Sequence, residues 1–450
     1  MSLLGIVLGL VLLMLLAYKG YSIIWVAPVC AVVVAILGGY SILGAYVGDY
    51  MKGMADYVFQ WFPAFFLGAV YGKVMDMTGS ARSLADALVK LIGSRFAVLA
   101  VVIPCLLMTY GGISLFVVVF VIYPMGYAVY RAADLPRTLL PGAIATGAFG
   151  ITMTAVPGTP QIQNMIPTQY YGTTAMAAPL LSVVACIVMF VPAYIYLEWR
   201  VAQCRKKGLH FVPDPKHKET DFSDRNLPSW HWITGLVPLV VVVLMLNAFP
   251  KVVLNVTGVE LASNYAIVIA LICGILVACL LNLNQAKVLL PAINDGANGS
   301  MGAIMNTACA VGFGSVVKAV PGFAVLTNLA LNMPGSILFS EAVAVNVLAG
   351  ATGSASGGMS IALEALGPKY LEMANAIGMS PELLHRIASI SSGGLDTLPH
   401  NGAVLTLLAV SNCTHKESYI DICITTCITT CIIPLVGSLL LALVWGFIGI

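Results

Sequence analysis

The chain has 450 residues, 60% of them apolar and only 9% charged, whereas a soluble domain is about 45–50% apolar and about 25% charged. A water-soluble enzyme is excluded. At about 20 apolar residues per membrane-spanning helix plus its connection, the length fits about 11–12 spans and leaves no room for a separate catalytic domain. The 21 Lys and Arg nearly cancel the 19 Asp and Glu, for a net charge of +2, so no nucleic-acid partner is expected.

In chain order, apolar runs cover Leu3 to Tyr18, Ile23 to Tyr40, Tyr57 to Val74, Phe96 to Met108, Ile113 to Tyr130, Leu139 to Val156 and Ala175 to Leu197. The first has no basic flank before it and no small-residue cleavage site after it, and reads as a retained span. Seven of the basic and five of the acidic residues then fall between Glu198 and Arg225. A loop this rich in Lys and Arg beside a span is expected in the cytoplasm. Beyond it lie Trp232 to Phe249, Tyr265 to Leu281, Met301 to Val317, Val325 to Phe339, Ala342 to Ala365, Leu383 to Leu408 and Ile420 to Ile450. The last two exceed one span and must contain breaks or turns. Ala81 to Ser94 and Asn282 to Gly296 mix charges with apolar residues at helical spacing, which predicts helices lying at the interface. The expected division is a first transmembrane repeat over 1–198, a charged loop over 199–230 and a second repeat over 231–450.

Eleven Cys are scattered through apolar segments without C-x-x-C or zinc-type His spacing. Cys423, Cys427 and Cys431 share one helix face, where packing explains them without a metal. No metal or cofactor is expected.

Inside a bilayer every backbone N–H and C=O needs a partner, so Gly, Pro and polar clusters at membrane depth belong where protein or a wet cavity surrounds them. Four such clusters stand out: Thr109 to Ser114, with Gly111 and Gly112; Pro157 to Asn164, with Thr159 and Gln161; Gly350 to Gly358, with Gly353, Ser354 and Ser356; and Ser391 to Gly402, with Asp396, Thr397, Pro399, His400 and Asn401. From Gly112 to Pro160 is 48 residues and from Gly353 to Pro399 is 46. A Gly/Ser turn followed at like distance by a Pro-bearing break, once per half, predicts a secondary transporter with its site between two repeats.

Half-helix N-termini suit a carboxylate without any buried arginine, and no Arg lies in the four clusters. Hydroxyls and amides of Ser114, Thr159, Gln161, Asn164, Ser354, Ser356, Thr397 and Asn401 can donate to carboxylate oxygens and trade bonds with substrate hydroxyls. Asp396 and His400 are the expected ion-coupling pair, since ionisable groups at membrane depth are costly and functional. Asp396 also reads as an N-cap of the half-helix after Pro399, and Lys318 is a third candidate for coupling.

The run Gly53 to Gly79, the Gly350 to Gly358 cluster and the Gly-Gly-x-Asp-x-Leu-Pro-His-Asn-Gly segment from Gly393 to Gly402 resemble the gluconate permease (GntP) family, bacterial inner-membrane proton symporters of the ion transporter superfamily. The last segment resembles a branch associated with 3-hydroxybutyrate more than the sugar-acid members. The resemblance implies proton-coupled uptake of a small organic anion, inverted repeats with re-entrant hairpins and broken helices, a scaffold that dimerises and an elevator-like motion. It places hairpin tips near Gly111 to Ser114 and Gly353 to Gly358. Sodium-coupled di- or tricarboxylate symport is the alternative within this class. A passive channel is a third reading. A membrane-embedded hydrolase would need a nucleophile with its base or an H-E-x-x-H helix, and no such motif occurs.

Overall fold

The computed structural model describes residues 1–110, 115–159, 161–214, 228–258, 263–331 and 335–448, and these residues form helices and turns without a strand. The first half runs α1 (Ser2–Tyr18), α2 (Ile23–Gly38), a π-helical stretch Gly44–Tyr50 leading into α3 (Met51–Met77), and the short α4 (Ser80–Ile92). Then come α5 (Ala97–Tyr110), α6 (Leu115–Ala132), α7 (Leu140–Ala145), a π-helical stretch Thr146–Ile151, α8 (Thr152–Thr154), α9 (Ile162–Tyr171) and the long α10 (Pro179–Lys206). The second half runs α11 (Trp232–Thr257), α12 (Ser263–Leu281), the long α13 (Ala286–Ala319), the short α14 (Pro321–Leu331), α15 (Ile337–Thr352), α16 (Ala355–Ala376), α17 (Pro381–Ser392) and α18 (Gly402–Ser411). It ends with α19 (His415–Ile422), a π-helical stretch Cys423–Ile428 and α20 (Thr429–Ile448). Each half therefore orders two helices, a long helix, a short helix, a helical pair, an interrupted helix and a final long helix.

Pro179–Lys206, Trp232–Thr257, Leu283–Ala319 and His415–Gly437 are long and apolar enough to cross a bilayer, and shorter apolar helices such as Ser2–Tyr18, Ile23–Gly38 and Tyr265–Leu281 join them. Large apolar side chains on α10, including Leu180, Val184, Ile187 and Ile195, are exposed on the protein surface. Such a face suits lipid tails rather than water. The chain is an all-α polytopic membrane protein.

Small residues set the central packing. A β-carbon on Gly296 would lie 2.6 Å from the Val70 α-carbon, and one on Gly53 would lie 2.1 Å from the Ser315 hydroxyl. These pairings run in opposite directions along α3 and α13, so the two long helices lie antiparallel at backbone contact, as small residues permit in membranes. α13 also packs on α2, α3 on α12, α4 on α11 and α14 on α1, so the halves interlock.

The interfacial expectation for Asn282 to Gly296 does not hold, because Ala286 onward is the opening of α13. Its glycines do not interrupt the helix where Gly296 rests on α3. Val325 to Phe339 is not one helix either: α14 ends at Leu331 and α15 starts at Ile337. Asp134, between α6 and α7, accepts hydrogen bonds from the Phe211 N–H at 3.0 Å and His210 at 2.7 Å. Those contacts hold its carboxyl below the ordinary range and tie the start of the charged loop to the first half.

Candidate functional site

The second break begins where α17 ends. Gly393 and Gly394 lead into a 3₁₀ turn, Leu395–Thr397, and α18 restarts at Gly402. Asn401 caps α18, its Oδ1 accepting from the Ala403 and Val404 N–H groups at 2.6 and 3.3 Å. The cap is thus Asn401 and not Asp396. The same Asn401 donates through Nδ2 to Asp396 Oδ1 at 2.7 Å and to the Gly353 carbonyl at 2.9 Å.

Gly353 is the turn between α15 and α16, in the left-handed region with φ of 62°, where glycine carries no side-chain penalty. Ser354 caps α16, its Oγ accepting from the Gly357 N–H at 3.1 Å. The Ala355 N–H, first in α16, faces the Asp396 carboxylate, the arrangement that a helix N-terminus favours for an anion. His400 packs on the tip, because a β-carbon on Gly353 would lie 3.4 Å from its Nε2. The ring is 2% exposed. The Gly350 carbonyl lies beside it, yet among the described residues neither ring nitrogen has a partner in hydrogen-bond geometry.

Other exposed carbonyls of the break are met by side chains from the last helices, as a bilayer demands. His415 Nε2 donates to Pro399 at 2.7 Å, Tyr419 to Thr397 at 3.1 Å and Thr430 to Gly393 at 2.8 Å. The Thr397 hydroxyl accepts from Thr426 at 3.0 Å and donates to Gly394 at 3.3 Å. From α13, a β-carbon on Gly314 would lie 2.6 Å from the Thr352 carbonyl, and one on Gly357 would lie 3.6 Å from Lys318 Nζ. Lys318 thereby reaches the first turn of α16.

The first break has its own partners. Gly158, with φ of 79°, donates its N–H to Ala175 at 2.9 Å. Gln161 Nε2 donates to the Thr109 carbonyl at 2.7 Å, joining the break to the end of α5. Asn164 Nδ2 donates to the Thr159 and Ala175 carbonyls at 2.8 and 2.9 Å. His385 Nε2 donates to Asn164 Oδ1 at 3.1 Å, which leaves Nδ1 to accept from Thr173 at 2.7 Å. Arg386 is fully buried. It donates to Ala177 at 2.9 and 3.3 Å and to Thr154, Ala155 and Ala175 at 3.4 Å each. The Thr154 and Ala155 carbonyls close a helix, so the guanidinium sits at the negative end of its dipole.

No arginine lies within the four clusters, and Arg386 reaches the carbonyls of the first break from α17, outside them. α17 accordingly serves both breaks: His385, Arg386 and Ser389 satisfy the first, and the end of the helix opens the second. The structure gathers Gly353, Ser354, Asp396, His400 and Asn401 at one hairpin tip. Thr159, Gln161 and Asn164 form a second group joined to it through α17. Ser356 lies half-buried in the first turn of α16. Gly111, Gly112 and Ser114 lie outside the described residues. Among the described residues, no cluster of three or more His, Cys, Asp or Glu side chains is arranged to hold a metal.

A cavity of about 300 Å³ opens between α3 and α13 on one side and α6 and α18 on the other, lined by Lys73, Asp76, Tyr127, Asp214, Asp295 and Asn412 among others. It reaches Ala303. One turn further along α13, Thr307 donates to the Gly402 carbonyl at 3.2 Å and pairs with the Thr406 hydroxyl at 2.7 Å, at the edge of the second break.

An all-helical membrane protein with two interrupted helices stitched to helical turns in its interior has the build of a transporter. Residues 148–443 match the model of the Na+/H+ antiporter family. Over 449 residues the chain is 39% identical to the uncharacterized transporter YxjC of Bacillus subtilis, covering 94% of this chain and 95% of that one. The protein belongs to the Na+/H+ antiporter family of membrane transporters. Compared with solved structures, it is similar to the YdaH transporter of Alcanivorax borkumensis at 14% identity and a TM-score of 0.35, covering 100% of this chain and 98% of that one.

Proposed function

We propose that the protein is a secondary active transporter that imports a small organic monocarboxylate, a hydroxy acid such as 3-hydroxybutyrate or a gluconate-like sugar acid, by proton symport. The observation that carries this reading is the hairpin tip at Gly353, where Asn401 links Asp396 to the turn and His400 lies buried with both ring nitrogens unbonded. Imidazole is the side chain whose ordinary titration lies nearest neutral pH, and this one is free to take up a proton when the tip opens to water. The substrate carboxylate seats at the first turn of α16, against the Ser356 hydroxyl and the Lys318 ammonium. Two positive features facing each other there, a helix N-terminus and a lysine, favour an anion between them.

The rest of the reading follows the gluconate permease resemblance: a bacterial inner-membrane location, a homodimer, repeats over 1–198 and 231–450 related by inversion, a cytoplasmic loop over 199–230, and an elevator motion of the hairpins and broken helices along α3 and α13. The cavity beside Asp214 is then the cytoplasmic approach to the second break. Nothing in this scheme needs catalysis or a cofactor.

Lys318→Gln removes a charge on the scaffold side of the tip. It is expected to raise KM for the organic acid by about tenfold while leaving the maximal rate of exchange within about twofold, the signature of lost ground-state binding. An unchanged KM would move the carboxylate site elsewhere. A second reading, sodium coupling or sodium–proton exchange, is favoured by the name of the matching family, and a carboxylate beside a carbonyl also suits Na+. Uptake compared in sodium and choline media across pH separates the two.

A further inference from the structure

Glu341 lies in the second turn of α15 and is fully buried. The hydroxyl of Tyr171, the last residue of α9, donates to its Oε1. Among the described residues its Oε2 meets no partner and it forms no ion pair. Beside it, the Ser340 and Tyr370 hydroxyls join α15 to α16 at 2.9 Å.

The position connects both breaks. Tyr171 stands seven residues beyond Asn164 along α9, about 10 Å, and Glu341 stands twelve residues before Gly353 along α15, about 18 Å. A bond between them therefore ties the half-helix after the first break to the arm that carries the second hairpin tip.

A bare carboxylate in such surroundings, with one hydrogen bond and no cation, costs several kcal/mol relative to water. A protonated carboxyl avoids most of that cost, and the free Oε2 is where the proton sits. The titratable groups that face it are Tyr171 from α9 and Tyr370 from α16. On α17, His385 and Arg386 are bonded toward the first break. Glu382 of α17 accepts from the Ala178 N–H, Asp396 of the turn Leu395–Thr397 accepts from Asn401, Lys318 of α13 reaches the tip near Gly357, Cys431 of α20 bonds to Asn346, and α14 carries no titratable residue.

We propose that Glu341 is a proton-binding site separate from the break at Pro399, occupied while α9 and α15 are joined and emptied when they part and water enters. Release of that proton is thereby linked to movement of the second hairpin arm. Its part in transport rests on the proton-coupled reading above, whereas the proton site itself does not.

Infrared difference spectra of the purified protein, taken as pH is raised, test the site directly. The wild type is expected to show a protonated-carboxyl band that fades, and Glu341→Gln to lack it. In liposomes, Glu341→Gln is expected to lower the slope of log uptake against pH by about one, the loss of one linked proton. No spectral difference between the two proteins, or an unchanged slope, overturns the proposal. Should Glu341→Gln fail to fold, Tyr171→Phe takes its place: losing the hydroxyl must shift the band, and an unshifted band overturns the assignment. If the wild type carries no organic acid, the symport reading fails while the infrared titration still decides whether Glu341 holds the proton.

Discussion

Arg386→Met is expected to destabilise the protein, lowering its thermal unfolding midpoint in detergent below that of the wild type. The guanidinium donates to the Ala177 carbonyl at 2.9 and 3.3 Å and to the Ala155 carbonyl at 3.4 Å, whereas Thr154 keeps the Ser389 hydroxyl and Ala175 keeps the Gly158 N–H and the Asn164 amide when the arginine is lost. Methionine fills much of the volume and donates nothing. A buried carbonyl left without its main partner costs about 1–3 kcal/mol, and the Ala177 carbonyl is the one that loses its short bond. Arg386→Lys tests the geometry: one ammonium replaces a planar fork of five N–H groups and is expected to recover only part of the loss. Thermal unfolding followed by tryptophan fluorescence reads both. A midpoint for Arg386→Met within the error of the wild type would mean that the first break finds its partners elsewhere.

The second large effect is on coupling. His400→Ala is expected to abolish net uptake driven by a proton gradient while substrate counterflow, which needs no net proton movement, persists. The imidazole is buried at the hairpin tip and makes no hydrogen bond, so its removal orphans no partner and the fold should tolerate it. Asp396→Asn probes the other member of the pair. Asp396 accepts from Asn401 and faces the first N–H of α16, so the amide is expected to weaken the link between break and tip as well as the coupling. Equal loss of uptake and counterflow in His400→Ala would assign that residue to substrate binding instead.

The fold class and the two interruptions were legible because proline and glycine act locally. Pro157 to Gln161 and Gly393 to Asn401 read as breaks wherever a continuous helix would need N–H groups that prolines lack, and α8 and α17 end there. What was not legible depends on contacts distant in sequence. Arg386 meets carbonyls 209 to 232 residues away, and in the sequence it sits near the start of an apolar run, where a charge looks like the end of a span. Glu341 falls between the apolar runs ending at Phe339 and starting at Ala342, where the sequence offers no reading of it, whereas α15 carries it into the interior. Asn282 to Gly296 misled for the opposite reason. Lys287 and Asp295 lower the apolar character there, but only the backbone contact between Gly296 and Val70 reveals that the segment belongs to the central helix pair.

Proton-coupled import of a small hydroxy acid, as proposed above, runs through the tip and break around Gly353 and His400. The most direct test is uptake of 3-hydroxybutyrate by the purified protein in liposomes, with an inward proton gradient imposed and no sodium present. Accumulation above the equilibrium level is expected, collapsing when a protonophore is added and absent in His400→Ala. Uptake that ignores the proton gradient and follows sodium, or no uptake of any hydroxy or sugar acid while a control symporter works in the same liposomes, would contradict it.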